Sequence, residues 1–260
     1  MMKFCLRAIY ICITLYLSCL SVVASDLSTL EAFTADYDVN YGDLNLGKGV
    51  YTLRHVHDNI YNFSFVSNMR FLVFSDKRRV DVDFTYLNGQ VLPRRYTHKR
   101  SGTGTNYIDL VTYDQVNNKI HSEHKGEVYE QAYDNLVRDG LSAQLQLMLD
   151  LKRGIKKPSY IILEANRVKK RAFEFIKTET ITVSGVEYQC VLYEFIQRKK
   201  NKRTQMWFSI DHNYQPVQMV HLSKDKKKFN AELTNFKIDS PKTLVTTMDV
   251  SQSDEKKIGE

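Results

Sequence analysis

Apolar and polar residues alternate along most of this chain, and a period of two is the pattern of a half-buried β-strand. The clearest early run is 33–42, in which every second residue is apolar. Sixteen Tyr and 13 Phe favour the same interpretation, because aromatic side chains pack well on a pleated sheet. The pattern predicts strands at 33–42, 47–55, 60–68, 79–87, 91–99, 106–113, 119–124, 160–164, 172–183, 186–197, 204–210, 216–222 and 229–238.

Glycine and asparagine mark the turns between these strands. Asn88-Gly89 is the strongest hairpin signal, since both residues tolerate the positive φ angles of a tight turn. Gly47 and Gly49 predict a bulge or a close approach of two backbones. The segment 69–74 is apolar without a clear period, so it predicts neither a helix nor a strand.

One segment, at about 139–153, has the period of a helix instead. Asp139 predicts the N-cap, two cations suit the last turn, and Gly154 can take the left-handed conformation that stops a helix. The apolar residues form a stripe wide enough to be buried on more than one side, and they are Leu141, Leu145, Leu147, Met148, Leu149 and Leu151.

The predicted fold class is mainly β: a single curved antiparallel sheet or open barrel, built as a meander and packed around the helix. The short connections between the later strands favour antiparallel neighbours. The strand 186–197 is apolar on both faces. One face can cover the helix, and the other must meet a second sheet, the N-terminal strands or a ligand.

Residues 1–24 have the pattern of a signal peptide, with Lys3 and Arg7 before an apolar run and a cleavage site after Ala24. A weaker alternative is a lipoprotein anchored through Cys19. The rest predicts one β-rich periplasmic domain over 26–240 and a flexible tail over 241–260. Removal of the two leader cations lowers the formal net charge from +7 to +5.

Catalytic and metal-binding signatures are absent from the sequence, so we expect no enzyme activity, no cofactor and no metal. His55-x-His57 would place two rings on one side of a strand, but a third ligand is missing. Asp81 and Asp83 suit the wet face of a strand, and Cys190 suits a buried apolar position. Trp207 and Tyr214-x-Pro216 are interpreted as structural.

Cationic residues cluster in three of the predicted connections between the later strands. Alternate turns of a meander project from the same end, so all three would lie on one rim of the sheet. Repulsion makes such a rim unfavourable unless an anionic partner relieves it, although lysines also protect sheet edges and aid solubility. The predicted basic rim consists of Arg167, Lys169, Lys170, Arg171, Arg198, Lys199, Lys200, Lys202, Arg203, Lys224, Lys226, Lys227 and Lys228.

Three short motifs resemble landmarks of a bacterial periplasmic family classed as domain of unknown function number 3108. They are Tyr37-x-Val-x-Tyr-Gly42 with Gly47-x-Gly49, Asp139-Gly-Leu-Ser142, and Trp207-Phe-Ser-x-Asp-x-x-Tyr-x-Pro-Val217. The resemblance covers 33–238 and implies an exported, β-rich protein without an established reaction. A looser likeness in fold is to the open-barrel periplasmic lipoprotein carriers.

We therefore expect a non-catalytic periplasmic protein, associated with the envelope, that binds an apolar or amphipathic ligand. Its basic rim would contact anionic lipid or lipopolysaccharide, and nucleic acid is not an expected partner in that compartment. The alternative is a structural module whose sheet edge or rim binds another envelope protein, and an enzyme of unknown type is the third hypothesis.

Overall fold

The computed structural model describes residues 29–134, 136–197, 201–224 and 226–239. The predicted leader, the predicted tail and the rim residues Arg198, Lys199 and Lys200 lie outside these ranges. The elements are β1 (Phe33–Tyr41), β2 (Leu44–His57), β3 (Ile60–Phe71), β4 (Phe74–Leu87), β5 (Gln90–Gly102), β6 (Tyr107–Asp114), β7 (Lys119–His124), β8 (Glu127–Ala132), β9 (Val137–Arg138), α1 (Gly140–Lys152), β10 (Ser159–Glu164), β11 (Arg167–Ala172), β12 (Glu174–Val183), β13 (Val186–Gln197), β14 (Lys202–Ser209), β15 (Gln215–Ser223) and β16 (Lys226–Ile238).

Thirteen of the strands form one antiparallel sheet in the order β12-β13-β14-β15-β16-β1-β2-β3-β4-β5-β6-β7-β8. The sheet is not closed into a barrel, because β12 and β8 are its two terminal strands. Pairing of β16 with β1 joins the C-terminal strands to the N-terminal ones, with Phe33 opposite Ile238. The predicted antiparallel meander around one helix is confirmed.

A second, three-stranded sheet has the order β11-β10-β9, and its β9–β10 pair is parallel. It packs on the inner face of β6 and β7, where Val111, Ile120, Val137 and Leu163 form a small core. The sequence did not predict β8, β9 or β11.

The main core lies between the concave face of the large sheet and α1. Asp139 caps the helix as predicted, since its Oδ1 accepts hydrogen bonds from the backbone N–H groups of Leu141 (2.9 Å) and Ser142 (2.8 Å). Most of the predicted stripe is buried, and Leu149 is half-buried. The helix was predicted correctly because its apolar residues recur at the helical period and form a stripe wide enough to be buried on more than one side.

The predicted close approach of two backbones occurs at Gly47. Its φ is +140°, and a Cβ there would overlap the carbonyl oxygen of Asn68 in β3. The register between β1 and β2 also shifts between Val39 and Asn40, beside this glycine. A side chain would separate β2 from β3 at this point.

The turns of the large sheet lie at two ends. Register places the β15–β16 turn beside the β1–β2 and β3–β4 turns: Asn230 pairs with Asn40, Asn40 with Asn45, and Gly47 with Met69. We call this the basic end. The Asn88-Gly89 turn between β4 and β5 lies at the other end, called here the mouth end.

Candidate functional site

A cavity of about 1010 Å³ opens at the mouth end, between α1 and the strands β1, β2 and β16. Its apolar wall comes from elements far apart in sequence, which closure of β16 onto β1 brings together. Nothing in the linear pattern marks these residues as one site. The apolar and aromatic lining residues are Leu30, Phe33, Leu53, Tyr86, Met148, Leu149, Phe236 and Ile238.

Polar groups surround the opening of this cavity. Lys152 Nζ donates a hydrogen bond to Asn213 Oδ1 at 2.9 Å, and Asn213 Nδ2 donates to Glu31 Oε2 at 3.0 Å. Arg153 also lines the cavity and pairs with Asp150. The arrangement is a pocket lined by both apolar and polar groups, with charged side chains at its entrance, which suits a molecule that has an apolar tail and a polar head.

Buried polar contacts fix the position of α1 beside the cavity. Gln146 Nε2 donates to Gly89 O at 3.1 Å and to Asp150 Oδ1 at 2.9 Å. Tyr160 Oη donates to Asp150 Oδ2 at 2.7 Å, and burial raises the pKa of Tyr160. The network ties the helix to the β4–β5 turn and to β10, so the wall of the cavity is rigidly held.

Four of the predicted rim residues, Lys202, Arg203, Lys224 and Lys226, are described at the basic end. The C-terminal ends of β13 and β15 lie at the same end of the sheet, because Gln197 pairs with Lys202 and Lys202 pairs with Ser223. Lys224 and Lys226 are exposed there. Lys202 and Arg203 are half-buried, and Arg203 lies 3.5 Å from Glu194.

The prediction that 167–171 form a turn is wrong, because these residues form β11. The cationic side chains are compatible with a strand because β11 pairs with β10, where Glu164 accepts hydrogen bonds from Lys169 (2.9 Å) and Arg171 (2.6 Å). Arg171 also lies over the Phe195 ring of β13, 4.9 Å from its centroid. Arg167 and Lys170 are exposed on the same strand.

β11 nevertheless lies at the basic end, across the gap between the two terminal regions of the sheet. Its C-terminal half reaches β13 through Arg171. At the other end of the hairpin, Asn166 Nδ2 donates to the carbonyl oxygen of Glu127, the first residue of β8 (3.2 Å). The first cationic cluster therefore borders the basic end, but two of its four cations pair with the single carboxylate of Glu164.

Three titratable residues that the sequence did not single out stand in a row on β5, β6 and β7. Register pairs His98 with Asp109, and Asp109 with His124. The Nδ1 atom of His98 lies 3.7 Å from the Asp109 carboxylate, and the Nδ1 atom of His124 lies 2.8 Å from it. Burial lowers the pKa of His98, and Asp109 opposes the shift. Only the strand register reveals this row.

The other candidate residues from the sequence have contacts that suit a structural role. Burial raises the pKa of the Cys190 thiol to about 11, as expected for a buried apolar position. Trp207 Nε1 donates to Glu179 Oε1 at 2.9 Å. A register shift between His55 and His57 interrupts the alternation on which their predicted shared side depends. Among the described residues, no three His, Cys, Asp or Glu side chains are arranged to hold a metal ion.

Two of the motif residues meet in the core. Tyr37 Oη donates to the backbone oxygen of Pro216 at 2.5 Å and accepts from Gln215 Nε2 at 2.7 Å. The contact ties β1 to β15 in the interior, where burial raises the pKa of Tyr37. The model of the family described as "Protein of unknown function (DUF3108)" matches residues 36–233. The chain belongs to this family.

Among solved structures, the DUF3108 chain is similar to a β-barrel-like protein of domain of unknown function DUF1849 from Brucella abortus, with a TM-score of 0.58 and 13% identity over 81% of this chain and 99% of the other. A protein with a YmcC-like fold from Bacteroides fragilis has a TM-score of 0.33 and 10% identity, over 80% of this chain and 97% of the other. A protein from Parabacteroides distasonis, provisionally described as a lipoprotein, has a TM-score of 0.33 and 13% identity, over 80% of this chain and 96% of the other. The first likeness supports the fold.

No curated protein matches the DUF3108 chain. Within the described ranges, no helix is both long and apolar enough to cross a bilayer.

Proposed function

We propose that this protein is a non-catalytic, exported envelope protein that binds an apolar or amphipathic ligand in the cavity at the mouth end. The observation that carries the proposal is the cavity itself, about 1010 Å³ with an apolar wall and a charged entrance. Ligand pockets are typically of this size and are lined mainly by apolar side chains with a few polar groups. Export is supported by the leader pattern of residues 1–24.

The lining sets the orientation of the ligand. An apolar tail would contact Phe33, Leu53 and Phe236, which lie on neighbouring strands of the sheet. A head group would lie at the entrance near Lys152 and Arg153, which favours an anionic head. Lys152 is the cation better placed to bind it, because Arg153 already pairs with Asp150.

At the basic end, the exposed cations would contact anionic lipid or lipopolysaccharide head groups. Arg167, Lys170, Lys224 and Lys226 are exposed on that side. Each basic residue close to an anionic surface contributes about 1 kcal/mol, and salt screens the attraction within roughly a Debye length. The two ends would then have different tasks, with surface contact at one and ligand binding at the other.

Titration of the delipidated protein with a fluorescent long-chain fatty acid tests the cavity. We expect saturable binding by the wild type and strong loss in Leu149→Trp, which adds bulk to the cavity wall. Val66→Trp is the matched control, because Val66 is partly exposed on the outer face of β3. Equal binding by wild type and Leu149→Trp would refute the cavity as the binding site.

The second candidate function is an interaction module that binds another envelope protein along a sheet edge. β12 is a terminal strand with exposed Phe175 and Ile176, and a cavity of about 440 Å³ lies beside it. Terminal strands present unpaired backbone groups that another chain can pair with. Loss of a stoichiometric protein partner in Phe175→Ser/Ile176→Ser, with fatty-acid binding absent in the wild type, would favour this function.

A further inference from the structure

The hairpin of β3 and β4 ends in four consecutive exposed apolar residues, Phe71 to Phe74, of which Leu72 and Val73 form the turn. Leu72 is 84% exposed and Val73 is 86% exposed, at the extreme tip of the hairpin. Phe71 and Phe74 pair across the last rung below them. These residues gain little from folding, since burial of apolar surface is what stabilises such side chains. We call this segment the apolar tip.

Leu72 also has an unfavourable backbone conformation for its residue type. Its φ is +52°, in the left-handed region that favours glycine and asparagine. Among the other described non-glycine residues with positive φ, five are asparagine and the rest are Asp58, Lys125, Ala165, Ser184, Tyr214 and Lys224, so no other large aliphatic residue has this conformation. A bulky apolar residue that is both exposed and strained is explained better by an external contact than by the fold.

Cations flank the apolar tip on its own hairpin. Arg70 precedes it in β3 and Lys77 follows it in β4, and both are exposed. Neither forms an ion pair with another residue in the described part of the chain. Arg79 is also exposed and pairs with Asp81 at 3.0 Å. The tip therefore combines an apolar apex with a positively charged base.

The tip lies at the basic end of the sheet. Met69 pairs with Gly47 of β2, beside the β1–β2 turn, and β1 pairs in turn with β16. Tyr41 and Phe229, whose ring centroids are 5.4 Å apart, add exposed aromatic surface between the tip and Lys226. Exposed apolar and cationic groups therefore lie together at the basic end.

We propose that the apolar tip inserts into the head-group region of an anionic phospholipid bilayer, while the flanking cations bind the lipid phosphates. The inference rests on the surface contact proposed above for the basic end and names the element that anchors it. Apolar side chains with cationic neighbours are the combination that holds peripheral proteins at an anionic interface. A protruding apolar apex with cations at its base suits insertion between anionic lipids, because its apolar and charged parts match the acyl and phosphate layers of the interface.

This orientation has a consequence for the cavity. The tip and the cavity entrance lie at opposite ends of the strands, so a protein docked through the tip presents its entrance away from the membrane. Ligand exchange would then take place with the aqueous compartment or with a soluble partner, not directly with the bilayer below.

Vesicle co-sedimentation tests the tip with a matched control. Leu72→Asn/Val73→Ser removes the apex, and asparagine suits the positive φ of position 72. Val116→Ser is the control, because Val116 is 89% exposed in the β6–β7 turn at the mouth end. With vesicles of phosphatidylglycerol and phosphatidylcholine, we expect roughly tenfold weaker binding of the tip variant and no change in the control or in either thermal midpoint.

A fluorescence readout measures insertion directly. Trp207 is the single tryptophan of the chain, so a Trp207→Phe background allows Val73→Trp or Val116→Trp to report alone. The proposal predicts that anionic vesicles shift the emission of Val73→Trp to shorter wavelength, and that lipids brominated on the acyl chain quench it. The emission of Val116→Trp should not change.

The outcomes separate this inference from the proposed function. Wild-type binding that persists unchanged in Leu72→Asn/Val73→Ser would overturn the tip and leave the electrostatic contact in place. Absence of wild-type binding to anionic vesicles would overturn both the tip and the surface contact, while fatty-acid titration still decides the cavity. A Val73→Trp emission shift caused by a purified envelope protein and not by vesicles would overturn the bilayer as the occupant.

Discussion

The side-chain oxygen of Gln146 in α1 accepts a hydrogen bond of 2.8 Å from the backbone N–H of Val91 in β5. Both residues are buried, and Arg138 donates to the same oxygen at 3.2 Å. The contact is a direct polar link between the helix and the large sheet. It forms one rigid side of the cavity, because Gly89 and Arg153 at the entrance are adjacent to it in the same network.

Gln146→Leu should destabilise the protein, because it leaves the buried Val91 N–H and one Arg138 hydrogen bond without an acceptor. We expect a loss of roughly 1–3 kcal/mol for the unpaired Val91 N–H alone. Urea unfolding followed by circular dichroism measures it. Gln189→Leu, at an exposed position of β13, is the control and should change the free energy of unfolding little. Similar values for the two variants would show that the network is dispensable.

Leu145→Ala tests whether α1 is the centre of the core. Leu145 is 2% exposed, so truncation should lower the free energy of unfolding by about 2–5 kcal/mol, the usual range for a buried leucine. Val66→Ala, at a partly exposed site on β3, should have a much smaller effect. An unchanged urea midpoint for Leu145→Ala would mean that the helix is peripheral.

The helix and most strands could be predicted because their side chains follow the period of the backbone. β8 could not, since its residues Glu127–Ala132 are mostly exposed at the edge of the sheet and show no alternation of burial. β11 was misinterpreted for a related reason. Its cations indicate a solvated turn, whereas Glu164 on the neighbouring strand supplies the counter-charge that makes a strand favourable.

The candidate sites were harder to predict than the helix and strands, because they depend on tertiary contacts. The cavity wall joins Phe33, Met148 and Phe236, which are adjacent only after β16 pairs with β1. Alternation along a meander did predict that the C-terminal ends of β13 and β15 lie at the same end of the sheet. The apolar tip was visible in the sequence as 69–74, but its lack of period hid the fact that two strands simply continue into a two-residue turn.

Stability should fall as the pH decreases through the ordinary range of histidine, in part because of His98. Its pKa is lowered in the folded state, mainly by burial, with Asp109 and Asp76 opposing and Arg78 and His124 assisting. The unfolded state therefore binds more protons below about pH 6.5, and the free energy of unfolding decreases there.

His98→Gln should flatten that part of the pH profile. Urea midpoints measured between roughly pH 7.5 and 5.5 should decrease less in the variant than in the wild type. His55→Gln, at an exposed position, serves as the control. Parallel profiles for wild type and His98→Gln would contradict the lowered pKa of His98.

Cys190 should be unreactive in the native protein. The thiol is fully buried and its pKa is raised to about 11, so the thiolate fraction at about pH 8 is very small. Labelling by iodoacetamide, followed by mass spectrometry, should be slow in buffer and fast in urea. Labelling of the native protein at the rate of a free thiol would show that β13 opens or that the cysteine is accessible.

Native mass spectrometry of protein purified from its own cell envelope tests the central claim most directly, namely that the cavity carries an amphipathic molecule. The wild type and Val66→Trp should retain a small-molecule adduct that is released on collisional activation. Leu149→Trp, which adds bulk to the cavity wall, should retain much less of it. A wild type without any adduct, or an adduct retained equally by Leu149→Trp, would contradict the account.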